Sequence, residues 1–257
     1  MSSSTSLNHE KSTAVHVHPV MSPPLLAAHG GEFQPGAHEA IAAKKKIANP
    51  APLGLGAFAL TTFLLSLINL KARDVAAPNL VVAIALAYGG LVQLLSGMWE
   101  MAIGNTFGAT VLSSYGGFWI SFGIILTPAF GIVEAYTDTK TGVSTFNDIF
   151  ALYLWAWFIF TTLCTLLTLR STLAFASLFV ILDAAFFCLA CSQTFAVTAA
   201  STAGAFQTAG GALGVVASFL AWYNMFAGMA DKSNFWFSIP VSHLPWSDQK
   251  RSERSSV

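Results

Sequence analysis

Six apolar stretches, at about residues 53–70, 80–100, 107–131, 148–169, 173–192 and 205–229, dominate this 257-residue chain. Each is close to the roughly 20 residues that an α-helix needs to cross a bilayer. Backbone polar groups inside hydrocarbon must bond within the protein, so runs of this kind are read as helices. The connections are short, which makes neighbouring helices antiparallel. The longest, at about 132–147, is polar through Glu134, Asp138, Lys140 and Asn147. Pro128 falls near the end of the third stretch, where it is expected to stop or kink the helix. The expected fold is an all-α membrane protein, a six-transmembrane-helix bundle over residues 48–230. A disordered N-terminal tail (1–47) and a C-terminal tail (231–257) flank it.

Charge supports this reading. Charged residues make up 9% of the chain and hydrophobic residues 54%, whereas soluble domains are about 25% charged. Most of the charges lie in residues 1–46 and 231–257, and the net charge is zero. The chain therefore offers no electrostatic footprint for nucleic acid. Residues 1–40 are rich in Ser, Thr, His, Pro and Gly without apolar periodicity, and are read as disordered. The first apolar run begins after about fifty polar residues, unlike a signal peptide, so the first helix is expected to start insertion. Lys and Arg number nine on the side of the two termini and three on the other. That excess puts both termini in the cytoplasm.

Polar residues inside or beside the apolar stretches are candidates for function, because they are costly there. The run Asn49-Pro50-Ala51-Pro52-Leu53-Gly54-Leu55 stands where the tail meets the first stretch. Its prolines suit a helix start, and Asn49 can cap the free N–H groups of the first turn. Such an end attracts a small anion such as a carboxylate, although an ordinary proline-started helix explains the run too. Asn105-Thr106 repeats the arrangement ahead of the third stretch. Gln93 and Glu100, two turns apart, form one polar stripe on the second helix. Glu100 is read either as part of that stripe or as a cap for the next helix. Asp183 lies mid-span in the fifth stretch, either carrying protons or bonding to a neighbouring hydroxyl. Tyr115 either touches a polar permeant or is an interfacial aromatic. Gly104-x-x-x-Gly108 and Gly210-x-x-x-Gly214 fit close helix packing.

Other chemistry finds little support. Cys164, Cys188 and Cys191 fall within spans, and Cys188-x-x-Cys191 lacks two further ligands, so all three are read as small apolar residues. The His16-x-His18 pair is explained by a polar tail without invoking metal. No phosphate loop, HExxH, GxSxG or haem pattern occurs. The sequence thus favours permeation of a small polar solute over catalysis, and requires no cofactor or metal.

These residues resemble the acetate uptake transporter family, which holds bacterial succinate–acetate permeases and fungal acetate transporters. The matching motifs are Asn49 to Leu55, Tyr88-Gly89-Gly90-x-x-Gln93, Gly104 to Gly108 and Ser114-Tyr115-Gly116. The similarity covers about residues 47–240. The long N-tail and the segment around Phe235, Pro240 and Trp246 look like the fungal-type branch. The resemblance implies a plasma-membrane, multi-pass transporter of acetate and other small monocarboxylates. It also implies homohexamers in which each protomer has its own pathway. A hydrophobic constriction is implied at Phe58, Tyr115 and Leu182, with Asn49, Leu53, Gly54, Gln93, Asn105 and Thr106 as substrate-binding candidates. Glu100 and Asp183 are the proton-coupling candidates, and Asp183 departs from the apolar or Thr character of the family there. A passive anion channel, an ammonium or ammonia exporter and an acid sensor signalling through Ser-rich tails are the alternatives.

Overall fold

The computed structural model describes residues 47–247, apart from Ala76, Lys140, Lys232, Ser238 and Trp246. The tail readings, including His16, His18, the lysines at 44–46 and the terminal serines, lie outside the described residues.

Among the described residues, six helices are long and apolar enough to cross a membrane: α1 (Ala51–Asn69), α2 (Asn79–Ile103), α3 (Thr106–Leu126), α4 (Phe146–Thr168), α5 (Leu173–Thr194) and α6 (Ala200–Met229). They are the six expected stretches with shifted ends, and α6 gains most by starting at Ala200. α3 stops at Leu126 because the residue before Pro128 is pushed out of the helical region; Thr127 is extended, at φ −84° and ψ 113°. The connection to α4 then makes a single helical turn (Ile132–Ala135) and a small hairpin bridged by Thr137 and Ser144.

The helices follow one another around an axis. α1 packs on α2 and α6, α6 on α5, α5 on α4, and α2 on α3. α3 and α4 meet chiefly through rings: Tyr115 lies 5.9 Å from Trp157, and Phe118 lies 5.1 Å from Trp157 and 5.9 Å from Tyr153. The starts of α1, α3 and α5 share one end of the bundle with the end of α6. We call it the terminal end, and the opposite one the loop end.

In lipid no hydrophobic force draws helices together, so close packing over small residues must do so. Gly116 lets α3 lie on the backbone of α2, where a Cβ would stand 2.7 Å from the Leu94 nitrogen. Gly89 of α2 meets Thr61 of α1 at 2.6 Å in the same sense. Gly210 faces Leu189 of α5 and Gly214 faces Ser66 of α1, so this pair packs helices as expected. The other pair is corrected. Gly104 ends α2 in the left-handed region, at φ +93°, and Gly108 sits against Asn105 and Glu100 of the same corner.

α2 widens into π-helical turns over Ala85–Val92, immediately before Gln93. A Cβ on Gly90 would run into both the Ala85 carbonyl and Ile120 of α3. The glycine therefore permits the wide turn and the helix contact at once. π turns inside α-helices are frequent at functional sites.

Beyond α6 the chain doubles back. The Asp231 carboxylate accepts the Ser233 hydroxyl and the N–H groups of Ser233 and Asn234, which holds its carboxyl below the usual carboxylate range. The Tyr223 hydroxyl donates to the Pro240 carbonyl. Leu173 N–H donates to the Ser242 carbonyl at 2.8 Å, and Leu244 N–H donates to that of Ser171 at 3.3 Å. Part of the segment expected as a C-terminal tail is thus paired with the α4–α5 turn.

Gly116 and Gly117 give an internal test of this packing, because a Cβ on Gly117 would meet nothing within 4 Å. Gly116→Ala is expected to destabilise the protein by about 1–3 kcal/mol. Gly117→Ala should be neutral or stabilising by up to about 1 kcal/mol. Thermal unfolding in detergent measures both.

Candidate functional site

Three cavities lie in series between the helices. The first, in the terminal half, is walled by α1, α2, α3 and α5 and holds about 20 Å³, room for about one water. Phe58, Gln93, Tyr115, Phe175, Phe179 and Leu182 are among its walls. The second, about 40 Å³, adds Thr62, Ser66, Phe186, Gly210 and Gly214. The third is a vestibule of about 300 Å³ toward the loop end, sharing Leu65, Asn69, Phe118, Phe186 and Leu189 with the second. Phenylalanines 118, 122, 146 and 150 wall it, and the carboxamides of Asn69, Asn147, Gln193 and Gln207 come from four helices.

Phe58, Tyr115 and Leu182 are common to the walls of the first and second cavities. All three are buried. The Phe58 and Tyr115 rings stand 6.0 Å apart, tilted by 49°. Tyr115 is fixed further by a stacked Phe186 ring at 6.4 Å and a 2.8 Å hydrogen bond with Thr161 of α4. The three residues that the family resemblance singles out, far apart in sequence, are therefore brought together between two cavities.

Gln93 has no exposed surface, and neither its Oε1 nor its Nε2 has a hydrogen-bond partner among the described residues. Leaving a buried polar group unmatched costs about 1–3 kcal/mol. It is among the residues that wall the first cavity. Glu100, on the same stripe, is at the corner instead. Its Oε2 accepts from Asn105 Nδ2 at 2.8 Å, and Asn105 Oδ1 accepts the Gly108 N–H at 2.7 Å. Asn105 thereby caps α3 and ties it to the end of α2.

Asn49 is engaged in structure too. Its Oδ1 accepts the Ala51 N–H at 3.0 Å, and its Nδ2 lies 3.5 Å from the Gly228 carbonyl of α6. The Ser96 hydroxyl donates to the Pro50 carbonyl at 2.6 Å. Gly54 faces Ser96 and Leu112. Of the six substrate-binding candidates only Gln93 walls one of these cavities; Leu53 is 49% exposed and Thr106 is also exposed. Helical periodicity is the reason for Leu53, which shares its outer face with Leu60 seven residues on.

Asp183 accepts the Thr162 hydroxyl at 2.9 and 3.2 Å, across the seam of α4 and α5. It adjoins Leu182 but is absent from the walls of the three cavities. Of the two sequence readings for it, the hydroxyl bond is the one seen. Cys164 and Cys191 are buried and Cys188 is half-buried, all with free thiols.

The sequence missed Val111, Leu112, Phe175, Leu178 and Phe179 as cavity walls. The α5 members stand seven, four and three residues before Leu182, the helical period counted back from it. On a helix apolar all round, that phase is readable only once one wall residue is known.

Six membrane-crossing helices around a series of internal cavities make this a multi-pass membrane protein. The GPR1/FUN34/yaaH family matches it over residues 29–246. Acetate permease A of Emericella nidulans is 55% identical over 234 residues, covering 91% of this chain and 78% of that protein. Ammonia transport outward protein 2 of Saccharomyces cerevisiae is 44% identical, with coverages of 88% and 76%. The solved structure of the bacterial acetate channel SatP superimposes with a TM-score of 0.64 at 30% identity, covering 76% of this chain and 99% of that one. The chain belongs to the GPR1/FUN34/yaaH family, and the resemblance read from its motifs holds.

Replacing Gln93 separates binding from folding. Gln93→Met removes two unmatched polar atoms, so its thermal stability should equal or exceed that of the wild type. Asn105→Ala loses a cap and should cost about 1 kcal/mol or more. A clear loss of stability in Gln93→Met would show that Gln93 is a structural residue.

Proposed function

We propose that the protein carries acetate and other small monocarboxylates across the plasma membrane, through a pathway within each protomer. The observation that carries this is the meeting of Phe58, Tyr115 and Leu182 between the Gln93 cavity and the cavity that opens to the vestibule. The names of the relatives, an acetate permease and an acetate channel, supply the substrate. A ring of two aromatics and a leucine excludes hydrated ions and passes a small acid that sheds its water. The amide-walled vestibule gathers the acid, and Gln93 offers it a donor and an acceptor beyond the ring. No catalytic step is assigned to the chain. The charge asymmetry supports cytoplasmic termini, an orientation in which the vestibule faces outward. Assembly as a homohexamer follows from the family resemblance.

Proton linkage is the second part of the proposal. A carboxylic acid with a pKa near 4.3, like a Glu side chain, becomes more protonated as the external pH falls. Uptake is therefore expected to rise with external acidity, whereas a passive anion channel needs no proton gradient. Ammonia export is the other reading, supported by the name of the 44% identical yeast relative. It predicts that deletion strains lose ammonia release with acetate uptake intact.

Purified protein in liposomes should move labelled acetate above protein-free controls, faster with an inward proton gradient. Phe58→Ala and Tyr115→Ala should admit larger acids such as lactate and succinate, with protein abundance little changed. Wild-type selectivity in both variants would remove the constriction from these residues, and absence of flux would remove the function.

A further inference from the structure

Phe175 and Phe179 of α5 belong to the walls of the first cavity, on its side away from the vestibule. Against them packs Phe107, the second residue of α3. The ring centroids are 6.0 Å apart for Phe107 and Phe175, 5.7 Å for Phe107 and Phe179, and 5.1 Å for Phe175 and Phe179. None of the three is more than 5% exposed. At 1.5 Å per residue, the offsets from Phe175 to Leu182 and from Phe107 to Tyr115 put this cluster roughly 10 Å nearer the terminal end than the constriction. The cavity walled by Gln93 thus has one apolar closure at Phe58, Tyr115 and Leu182, and another at the three phenylalanines.

The two halves of the cluster are held in different ways. Phe107 follows the Asn105 cap, which accepts the Gly108 N–H and donates to Glu100, so it is fixed to the corner of α2 and α3. Phe175 and Phe179 stand on a helix that packs on α4 and α6 and meets α3 through side-chain rings. The start of that helix is held by the chain that returns after α6. Thr172 Oγ1 accepts the Phe175 N–H at 3.2 Å, Leu173 N–H donates to the Ser242 carbonyl at 2.8 Å, and Thr172 bridges to His243. The Tyr223 hydroxyl of α6 ties the same segment down at the Pro240 carbonyl.

We infer that Phe107, Phe175 and Phe179 are a second gate of the pathway, and that segment 240–244 is a latch holding its α5 half shut. An apolar neck closes by excluding water, and a polar solute waits until one of its rings moves. The α3 half moves only by breaking the Asn105 cap, so opening falls to α5. Release of the pairing with Ser242 and His243 frees the first turn of α5 and, with it, Phe175. The chamber beside Gln93 then opens at the terminal end without any change at Phe58, Tyr115 or Leu182.

The inference rests on the acetate-transport reading, and Leu173→Pro tests it through a readout that needs no acetate. Position 173 is the first of α5, where proline suits a helix. Thr172 before it is already extended, at φ −80° and ψ 155°, as a residue preceding proline prefers. The change removes the N–H given to Ser242 and keeps the helix. Tyr223→Phe loosens the other end of the latch. In the full-length protein with Cys164→Ala, Cys188→Ala and Cys191→Ala, Leu178→Cys puts a thiol in the chamber wall. Its labelling by a small methanethiosulfonate in detergent should quicken about fivefold in Leu173→Pro and in Tyr223→Phe, the effect of losing one hydrogen bond. Phe175→Leu, which shrinks the gate itself, should quicken it at least as much. Phe187→Leu, on the more exposed side of the same helix, should leave it unchanged. Unchanged labelling in Phe175→Leu, or a rise of the same size in Phe187→Leu, overturns the gate. Unchanged labelling in the folded latch variants overturns the latch. Acetate flux into liposomes is measured separately and decides the transport reading by itself.

Discussion

The approach of helix backbones at glycine is the constraint on which the rest of this structure depends. Lipid supplies no hydrophobic drive between helices, so their spacing is set by which side chains stand at each seam. Where Gly89 meets Thr61 and Gly116 meets the Leu94 backbone, α1, α2 and α3 close up. Where α3 faces α4, the rings of Phe118, Tyr153 and Trp157 stand between the backbones. A bundle tight at some seams and wide at others keeps room along its axis. The cavities occupy that room, and Phe58, Tyr115 and Leu182 narrow it.

Polar side chains divide into two groups within this frame. Asn49, Ser96, Glu100 and Asn105 join helix ends to one another, matching donors to acceptors at the corners. Gln93 remains unmatched among the described residues, with both amide atoms buried in a cavity wall. A fold held together at its corners can tolerate the cost of such groups at its centre, where Thr62 Oγ1 and Trp119 Nε1 are also buried without a partner among the described residues. The wide π turns of α2 come immediately before Gln93.

Much of this was legible in the sequence, and the limits have physical causes. Six spans, their antiparallel order and the stop at Pro128 follow from hydropathy and proline geometry, which act locally. Phe58 and Tyr115 were reachable through motifs that lie on them or a fixed distance away. Leu53 and Thr106 share motifs with cavity-side residues yet are exposed, because a motif marks neighbours in sequence, while a helix sends neighbours to different faces. Thr161 carried no signal at all. Threonine on an apolar helix commonly bonds back to its own turn, and only the tertiary contact with Tyr115 sets this one apart. Asp183 drew attention through its charge, yet its carboxylate is absorbed by Thr162 at a helix seam.

The pairing of the chain after α6 with the α4–α5 turn bears on how the protein is made. Leu173 at the start of α5 has a backbone N–H with no partner within its own helix, and its acceptor is the carbonyl of Ser242. Ser171, across the same turn, waits for the N–H of Leu244. Both partners are synthesised after all six helices. The turn between α4 and α5 must therefore spend the rest of translation incomplete, and it closes only when the last helix has been delivered to the membrane.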